Sequence, residues 1–175
     1  RTFNENIIQR KLCGRAPEIA HYLADKLNVR QYVKETVGEE ILTEIYAVFE
    51  KSEDIDIKEL PKDYVIKSNH SNGQVIPSYV ARKLEPAVMQ NRLNSWLQST
   101  YGKTTNEYWY AAIPPKLFVE EKIISNEGGV LADYKFFIYN KKVFCIQVDQ
   151  NRTKNHTRNL YYPNWKPCDF GLKYP

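Results

Sequence analysis

The sequence is poor in cysteine and histidine and has no long apolar run. Cys13, Cys145 and Cys168 stand singly, without the CxxC spacing of zinc sites, and the three histidines are scattered. These shortages argue against a Cys/His metal site and against a disulfide framework, and they predict a reducing, cytoplasmic compartment. No apolar stretch approaches the roughly 18 residues that a membrane-spanning helix needs, so we expect no transmembrane segment.

Several functional motifs are missing as well. There is no GxSxG pentapeptide and no cysteine with a neighbouring His and acid, so the sequence does not predict an acyl-enzyme mechanism. The standard RNA-binding signatures are absent, and we expect no nucleic-acid partner. The chain begins without Met or a secretory signal, so we expect it to be part of a longer protein, incomplete at both ends.

Charge is distributed unevenly along the chain. Residues 1–66 contain 10 Lys and Arg against 13 Asp and Glu, whereas residues 67–175 contain 15 against 8, which gives −3 and +7. By itself, an excess of this size suits an anionic partner, which could be nucleic acid, a nucleotide polyphosphate or an acidic sugar polymer. An ordinary solvated surface accounts for the charge equally well.

Hydrophobic periodicity predicts an α+β fold with a helical N-terminal part, then a strand-loop-strand lobe and an antiparallel hairpin. The predicted elements, in chain order, are a helix over 17–37 that Asn28 divides and Gly38 ends, strands over 42–49, 64–68 and 74–80, a helix over 84–101, a strand over 117–124, a mobile loop over 126–129, and hairpin strands over 134–139 and 143–149. The predicted domains are 1–60, 61–118 and 119–175, and the tail from Asn151 to Pro175 shows little periodicity.

A lysine at the end of one predicted strand suggests an anion site. Lys67 stands just before a loop of small, turn-forming residues: Asn69, His70, Ser71, Asn72 and Gly73. Such residues let several backbone N–H groups approach one anion closely, and the lysine adds a positive charge. The loop matches neither the Walker A nor the dinucleotide-binding pattern, and an ordinary hairpin loop is the alternative interpretation.

Four further charged residues could complete such a site. Strand alternation places Glu120 and Glu121 on opposite faces, so one carboxylate is expected to point inward, toward a nucleoside, Lys122 or a backbone amide. Lys135 and Arg152 lie at the two ends of the predicted hairpin and could bracket a polyphosphate or a carboxylate. An exposed sheet face is the alternative for these two residues.

Several segments together resemble a known family. They are DKLNVRQYVKETVGEEIL (25–42), LPKDYVIKSNHSNG (60–73), VEEKI (119–123) and DYKFFIYNKKVFCIQVDQNR (133–152). In order and spacing they are similar to the TupA-like ATP-grasp family. That family is found in bacterial gene clusters for teichuronopeptide, capsular and other surface polysaccharides, and its members are often labelled glycosyltransferases.

The resemblance implies an ATP-grasp arrangement, in which two α+β lobes hold ATP and activate a carboxylate for attack by an amine. By this likeness Lys67 would contact the nucleotide phosphates and residues 69–73 would form a flexible loop over them. Glu120 and Glu121 would lie beside adenine and ribose, and Lys135 would approach the phosphates from the second lobe.

The likeness also has two departures. The loop reads His-Ser-Asn-Gly at 70–73, where the family is closer to His-Gly-Ser-Gly. The magnesium ligands of ATP-grasp enzymes would lie downstream of Pro175, so we assign no metal ligand in this chain and expect it to be inactive by itself. Asp149 is the nearest acidic candidate.

From these observations we expect an ATP- and magnesium-dependent carboxylate–amine ligase of bacterial surface-polysaccharide or teichuronopeptide biosynthesis. Its acceptor would be an acidic sugar polymer or an amino compound. The alternatives are a glycosyltransferase of polysaccharide biosynthesis and a non-catalytic module that binds an anionic polymer.

Overall fold

A computed structural model describes residues 2–13, 18–125, 131–152 and 155–171 of the chain. The chain divides into two compact units, Arg1–Lys122 and Ile123–Pro175. Helices and antiparallel strands occur together, in agreement with the predicted α+β class. The loop predicted over 126–129 lies outside the described residues. Among the helices that are described, none is long and apolar enough to cross a membrane.

The first unit contains most of the helical structure. Its helices are α1 (Phe3–Leu12), α2 (Ala20–Ala24), α3 (Asn28–Thr36), α4 (Ser78–Ala81), α5 (Pro86–Leu97) and α6 (Tyr101–Thr104), with 3-10 turns at Ser52–Asp54 and Tyr108–Ala112. The helix predicted over 17–37 is thus two helices, separated at residues 25–27. Gly38 follows α3 with a φ of 139°, and its N–H donates to the Val33 carbonyl, as expected for a residue that ends a helix.

The first unit also contains a four-stranded antiparallel sheet in the order β1-β4-β2-β3. Its strands are β1 (Ile45–Phe49), β2 (Tyr64–Ser68), β3 (Val75–Pro77) and β4 (Leu117–Glu121). The strand predicted over 74–80 is shorter than expected, because Pro77 lacks the N–H that a continuing ladder needs and α4 begins at the next residue.

One face of this sheet forms the hydrophobic core. Tyr64 and Ile66 of β2 and Leu117 and Val119 of β4 are fully buried and belong to one cluster with side chains of α5. Successive side chains of a strand alternate between faces, so Lys67 and Glu120 lie on the opposite face. Their strands are neighbours, with Val65 directly across from Glu120. The fold therefore places this lysine and this carboxylate close together.

The second unit is a three-stranded antiparallel sheet in the order β5-β6-β7. Its strands are β5 (Asp133–Tyr139), β6 (Lys142–Gln150) and β7 (Thr157–Tyr161). The predicted hairpin is present, and its two-residue loop has positive φ at Asn140 (48°) and Lys141 (63°), as a type I′ turn requires. Strand β7 lies in the tail that showed little periodicity, because most of its residues are polar.

Candidate functional site

Lys67 and Glu120 form an ion pair on the sheet face opposite the core. The Lys67 ammonium donates to Glu120 Oε1. The Glu120 side chain is 10% exposed and that of Lys67 is 29% exposed. The inward-pointing carboxylate predicted from strand alternation is therefore Glu120, and its donor is Lys67 rather than Lys122. Glu121 is exposed.

Two residues of the first unit that the sequence did not single out complete the surroundings of Glu120. The Thr43 hydroxyl donates to Glu120 Oε2 over 3.1 Å, and Arg30 Nη1 lies 3.7 Å from the same oxygen. Arg30 also donates to the Thr43 carbonyl. Arg30 lies on α3, about 90 residues from Glu120 along the chain, so no local pattern could reveal the contact.

Lys26, in the segment between α2 and α3, binds the loop that follows Lys67. Its ammonium donates to the Ser68 carbonyl over 2.9 Å and to the Ser71 carbonyl. Burial, together with the nearby charge of Lys67, lowers the pKa of Lys26 to about 8. The Lys67 charge thus lies close enough to disfavour the charged form of Lys26, and an anion bound between the two lysines would relieve that repulsion.

The first half of the loop is anchored rather than flexible. Asn69 is almost fully buried, and its side-chain amide donates to Asp25 over 3.2 Å and to the Pro114 carbonyl over 3.0 Å. Its side-chain oxygen accepts the Lys116 N–H over 2.8 Å. The Asn69 N–H donates to the Lys116 carbonyl, so neither its side chain nor its amide points to a ligand.

His70 is the second anchor of the loop. Its ring is buried, with Nδ1 3.1 Å from Asn69 Oδ1 and Nε2 3.0 Å from the Trp96 carbonyl. Burial lowers the pKa of His70, although the Trp96 carbonyl opposes the shift. Ser71 is buried as well, so the residues tied into the protein are 69–71.

Asn72 and Gly73 form the exposed tip of the loop. Gly73 has a φ of 76°, a left-handed conformation that residues with a Cβ atom rarely adopt. A Cβ at this position would contact nothing within 4 Å, so the space in front of the backbone is open. The predicted approach of a ligand to the backbone is therefore possible at the tip of the loop.

A cleft lies between α3 and the start of β1, beside the segment that connects them. Its volume is about 590 Å³, and Arg30, Thr43, Glu44 and Glu121 are among its lining residues. This size falls within the range of roughly 300–1,000 Å³ that small-molecule sites occupy. Glu121 thus shares one cleft with Arg30 and Thr43, two of the residues that contact Glu120.

In the second unit, Lys135 and Arg152 have separate carboxylate partners. Lys135 Nζ lies 3.1 Å from Asp149 Oδ2, whereas Arg152 pairs with Asp133. Asp149 is fully buried, and its two oxygens also accept from Gln147, His156 and Arg158. The bond from Arg158 is the largest of the influences that hold the pKa of Asp149 well below its usual range.

Comparison with known proteins matches residues 5–175 to one family model, described as TupA-like ATPgrasp. The chain belongs to the TupA-like ATPgrasp family. This match confirms the resemblance seen in the sequence, and membership suggests a ligase-type enzyme. No curated protein and no solved structure matches the chain.

ATP-grasp enzymes generally use ATP and magnesium, and the first unit of this family member fits a polyphosphate. Lys26 and Lys67 supply positive charge beside an exposed, glycine-containing loop tip. The Ser68 hydroxyl and the Gln74 side-chain oxygen flank the loop, and both are buried atoms without a hydrogen-bond partner in the described structure. Unsatisfied polar atoms at a loop of this kind are compatible with a polar ligand.

The described residues do not fit magnesium in the same way. In residues 2–13, 18–125, 131–152 and 155–171, no group of three or more His, Cys, Asp or Glu side chains is placed to hold a metal ion. Asp149 is the acidic residue nearest to the position where the family's magnesium ligands are expected. Both of its carboxylate oxygens already accept hydrogen bonds from protein side chains. Positive side chains take the place that a cation would need.

Proposed function

We propose that the protein is an ATP-dependent carboxylate–amine ligase of bacterial surface-polysaccharide or teichuronopeptide biosynthesis. The observation that carries the proposal is the presence of two lysines at the 69–73 loop: Lys67 stands just before it, and the Lys26 ammonium donates to the Ser68 and Ser71 carbonyls. Bound ATP would supply the phosphoryl group that activates a carboxylate. Magnesium would accompany the nucleotide, and the expected compartment is the cytoplasm.

In this proposal Lys67 and Lys26 neutralise the nucleotide phosphates, while Asn72 and Gly73 approach them with backbone N–H groups. Asn69, His70 and Ser71 act indirectly, because their bonds hold the base of the loop in one conformation. Lys67 must exchange Glu120 for phosphate when the nucleotide binds. Arg30 and Thr43 keep Glu120 supplied with donors during that exchange.

Glu120 and Glu121 are proposed to recognise the nucleoside. A ribose or adenine group in the cleft between α3 and β1 would come within reach of the exposed Glu121 carboxylate. Carboxylates accept hydrogen bonds from hydroxyl and amino groups, which are the donors that a nucleoside offers.

From the second unit, Lys135 and Arg152 are proposed to contact phosphate or an acceptor carboxylate. Both side chains are about half exposed, at 47% and 51%, so each could add a bond to an anion without leaving its own carboxylate. The acceptor is proposed to be an acidic sugar polymer or an amino compound. The +7 charge of residues 67–175 supports an anionic acceptor.

The reaction class is tested with the full-length protein, magnesium and ATP, with uronic-acid oligosaccharides and amino acids offered together and separately. A ligase releases ADP and phosphate only when both partners are present. Consumption of a nucleotide-sugar without ATP turnover would instead identify a glycosyltransferase. Binding of the polymer without either reaction would indicate a non-catalytic module.

A further inference from the structure

Strand β1 forms one edge of the first unit's sheet. In the order β1-β4-β2-β3 it pairs only with β4, and its second backbone edge makes no backbone hydrogen bond to any residue in the described ranges. Alternate residues of an antiparallel strand direct their N–H and C=O groups away from the neighbouring strand. Strand β1 (Ile45–Phe49) therefore presents unpaired donors and acceptors along one side.

The two edges of this sheet differ in how well they are protected from pairing. The opposite edge, β3, has three residues and ends in Pro77, which has no N–H to offer a further strand. Strand β1 reads IYAVF and contains neither proline nor a charged side chain, which are common means of keeping an edge unpaired. A register shift lies at its start, between Ile45 and Ala47, and leaves Ala47–Phe49 in regular register. Strand β1 is thus the edge that is open to a further strand.

A cleft of about 430 Å³ lies beside this edge. It is lined by residues 44–47 and 49 and by residues 54, 56 and 59–61 of the segment that follows β1. Successive side chains of a strand point to opposite faces, so a cleft that touches Ile45, Tyr46 and Ala47 lies at the edge of the strand rather than on one face. Strand β4 occupies the other edge. A peptide that paired with β1 would run in this cleft, about 4.8 Å from the strand.

The lining of the cleft combines apolar side chains with carboxylates. Tyr46, Phe49 and Leu60 are partly buried and pack against the core cluster. The acidic side chains of the lining are all exposed, and within the described residues none of them belongs to an ion pair: Glu44, Asp54, Asp56 and Glu59. No described lysine, arginine or histidine lines the cleft. The cleft therefore carries four negative charges at neutral pH and is complementary to a basic peptide.

We propose that the free edge of β1 binds an extended peptide segment of a partner protein, which carries lysine or arginine and pairs with β1 as an additional strand. Main-chain hydrogen bonds would hold the peptide, and its alternating side chains would give specificity. Its basic side chains would meet the carboxylates of residues 54–59, while apolar ones would pack on Tyr46 and Phe49. This interaction requires neither nucleotide nor acceptor, and it is independent of the proposed ligase activity.

The first experiment measures the binding of labelled synthetic peptides to the wild-type chain by fluorescence anisotropy. The probe is a peptide of about eight alternating lysine and valine residues, long enough to span the strand. One control replaces each lysine with glutamate, and the other is N-methylated at every residue and has no backbone N–H. The probe should bind saturably, and each control at least about tenfold more weakly, because it lacks the complementary charge or the main-chain donors. Equal binding of the probe and the N-methylated peptide, or no saturable binding of the probe, would overturn the proposal.

A second experiment locates the site with two triple variants of equal charge change. The test variant is Asp54→Asn, Asp56→Asn and Glu59→Gln, and the matched control changes three exposed glutamates outside the cleft: Glu35→Gln, Glu40→Gln and Glu53→Gln. The test variant should bind the probe about tenfold more weakly than the wild-type chain, and the control variant within about twofold of it. In the wild-type chain, the probe should also slow amide hydrogen exchange in residues 45–49. Equal losses in the two variants, or unchanged exchange in residues 45–49, would contradict the proposal, and the exchange measurement decides even if the test variant fails to fold.

Discussion

Replacing Asn69 with alanine is the most direct test of whether hydrogen bonds hold residues 69–71 in place. The Asn69 side chain makes hydrogen bonds of 3.2, 3.0 and 2.8 Å with Asp25, Pro114 and Lys116, and its oxygen also faces His70. A net hydrogen bond contributes about 1 kcal/mol, and a buried group left without its partner costs about 1–3 kcal/mol. Asn69→Ala should therefore lower the free energy of unfolding by about 2–4 kcal/mol.

The matched control is Asn72→Ala, the same substitution three residues away at the exposed tip of the loop. It should change stability by less than about 0.5 kcal/mol. Urea denaturation of the two variants and the wild-type chain measures the difference. A loss below about 1 kcal/mol for Asn69→Ala, or equal losses for both variants, would refute the idea that residues 69–71 are held by these bonds.

Three further predictions concern titration and packing. The pKa of Lys26 is about 8 in the folded protein and about 10.4 in the unfolded chain, so the unfolded state binds more protons between these two pH values. The free energy of unfolding should therefore rise with pH across this window in the wild-type chain, and it should rise less in Lys26→Met. The lowered pKa of Asp149 predicts a contribution to the free energy of unfolding that is lost as pH falls below about 4. Asp149→Asn should lack this acid-dependent loss, and an equal dependence of stability on pH in the wild-type chain and in Asp149→Asn would argue against the prediction. Leu93→Ala, in the fully buried part of α5, should cost about 2–5 kcal/mol in thermal or urea unfolding, whereas Val88→Ala on the exposed side of the same helix should cost under about 1 kcal/mol. Similar losses for these last two variants would contradict the core assignment.

Local patterns in the sequence were sufficient for strands β1 to β6 and for helices α2, α3 and α5. The alternating run YVIKS becomes β2, and the β-rich runs around residues 140–142 become a hairpin with a two-residue turn. Helix α1 was missed, although Thr2 and Glu5 form a capping box whose spacing is visible in the sequence. Strand β7 carried no comparable signal, because Thr157, Arg158 and Asn159 are polar and lack an alternating apolar face.

The hydrogen-bond and ion-pair partners of the candidate residues could not be predicted from neighbouring positions in the sequence. The sequence pointed to Lys67 and to an inward-facing glutamate, yet not to their pairing with each other, which depends on β2 and β4 being neighbours. Lys26 and Arg30 reach the same region from a helical segment about 40 residues earlier. The sequence suggested that Lys135 and Arg152 could bracket one anion, but it did not reveal that each has its own carboxylate partner, since Asp149 and Asp133 face each other across the ladder.

The central claim is that Lys67 belongs to a nucleotide site, and a calorimetric titration tests it directly. A nonhydrolysable ATP analogue is titrated, in magnesium-containing buffer, into the wild-type chain, Lys67→Met and Lys62→Met, the last being an exposed lysine of the same unit. The account predicts saturable binding that Lys67→Met weakens by about tenfold or more and that Lys62→Met leaves unchanged. Equal binding by all three proteins, or no saturable binding by the wild-type chain, would contradict it.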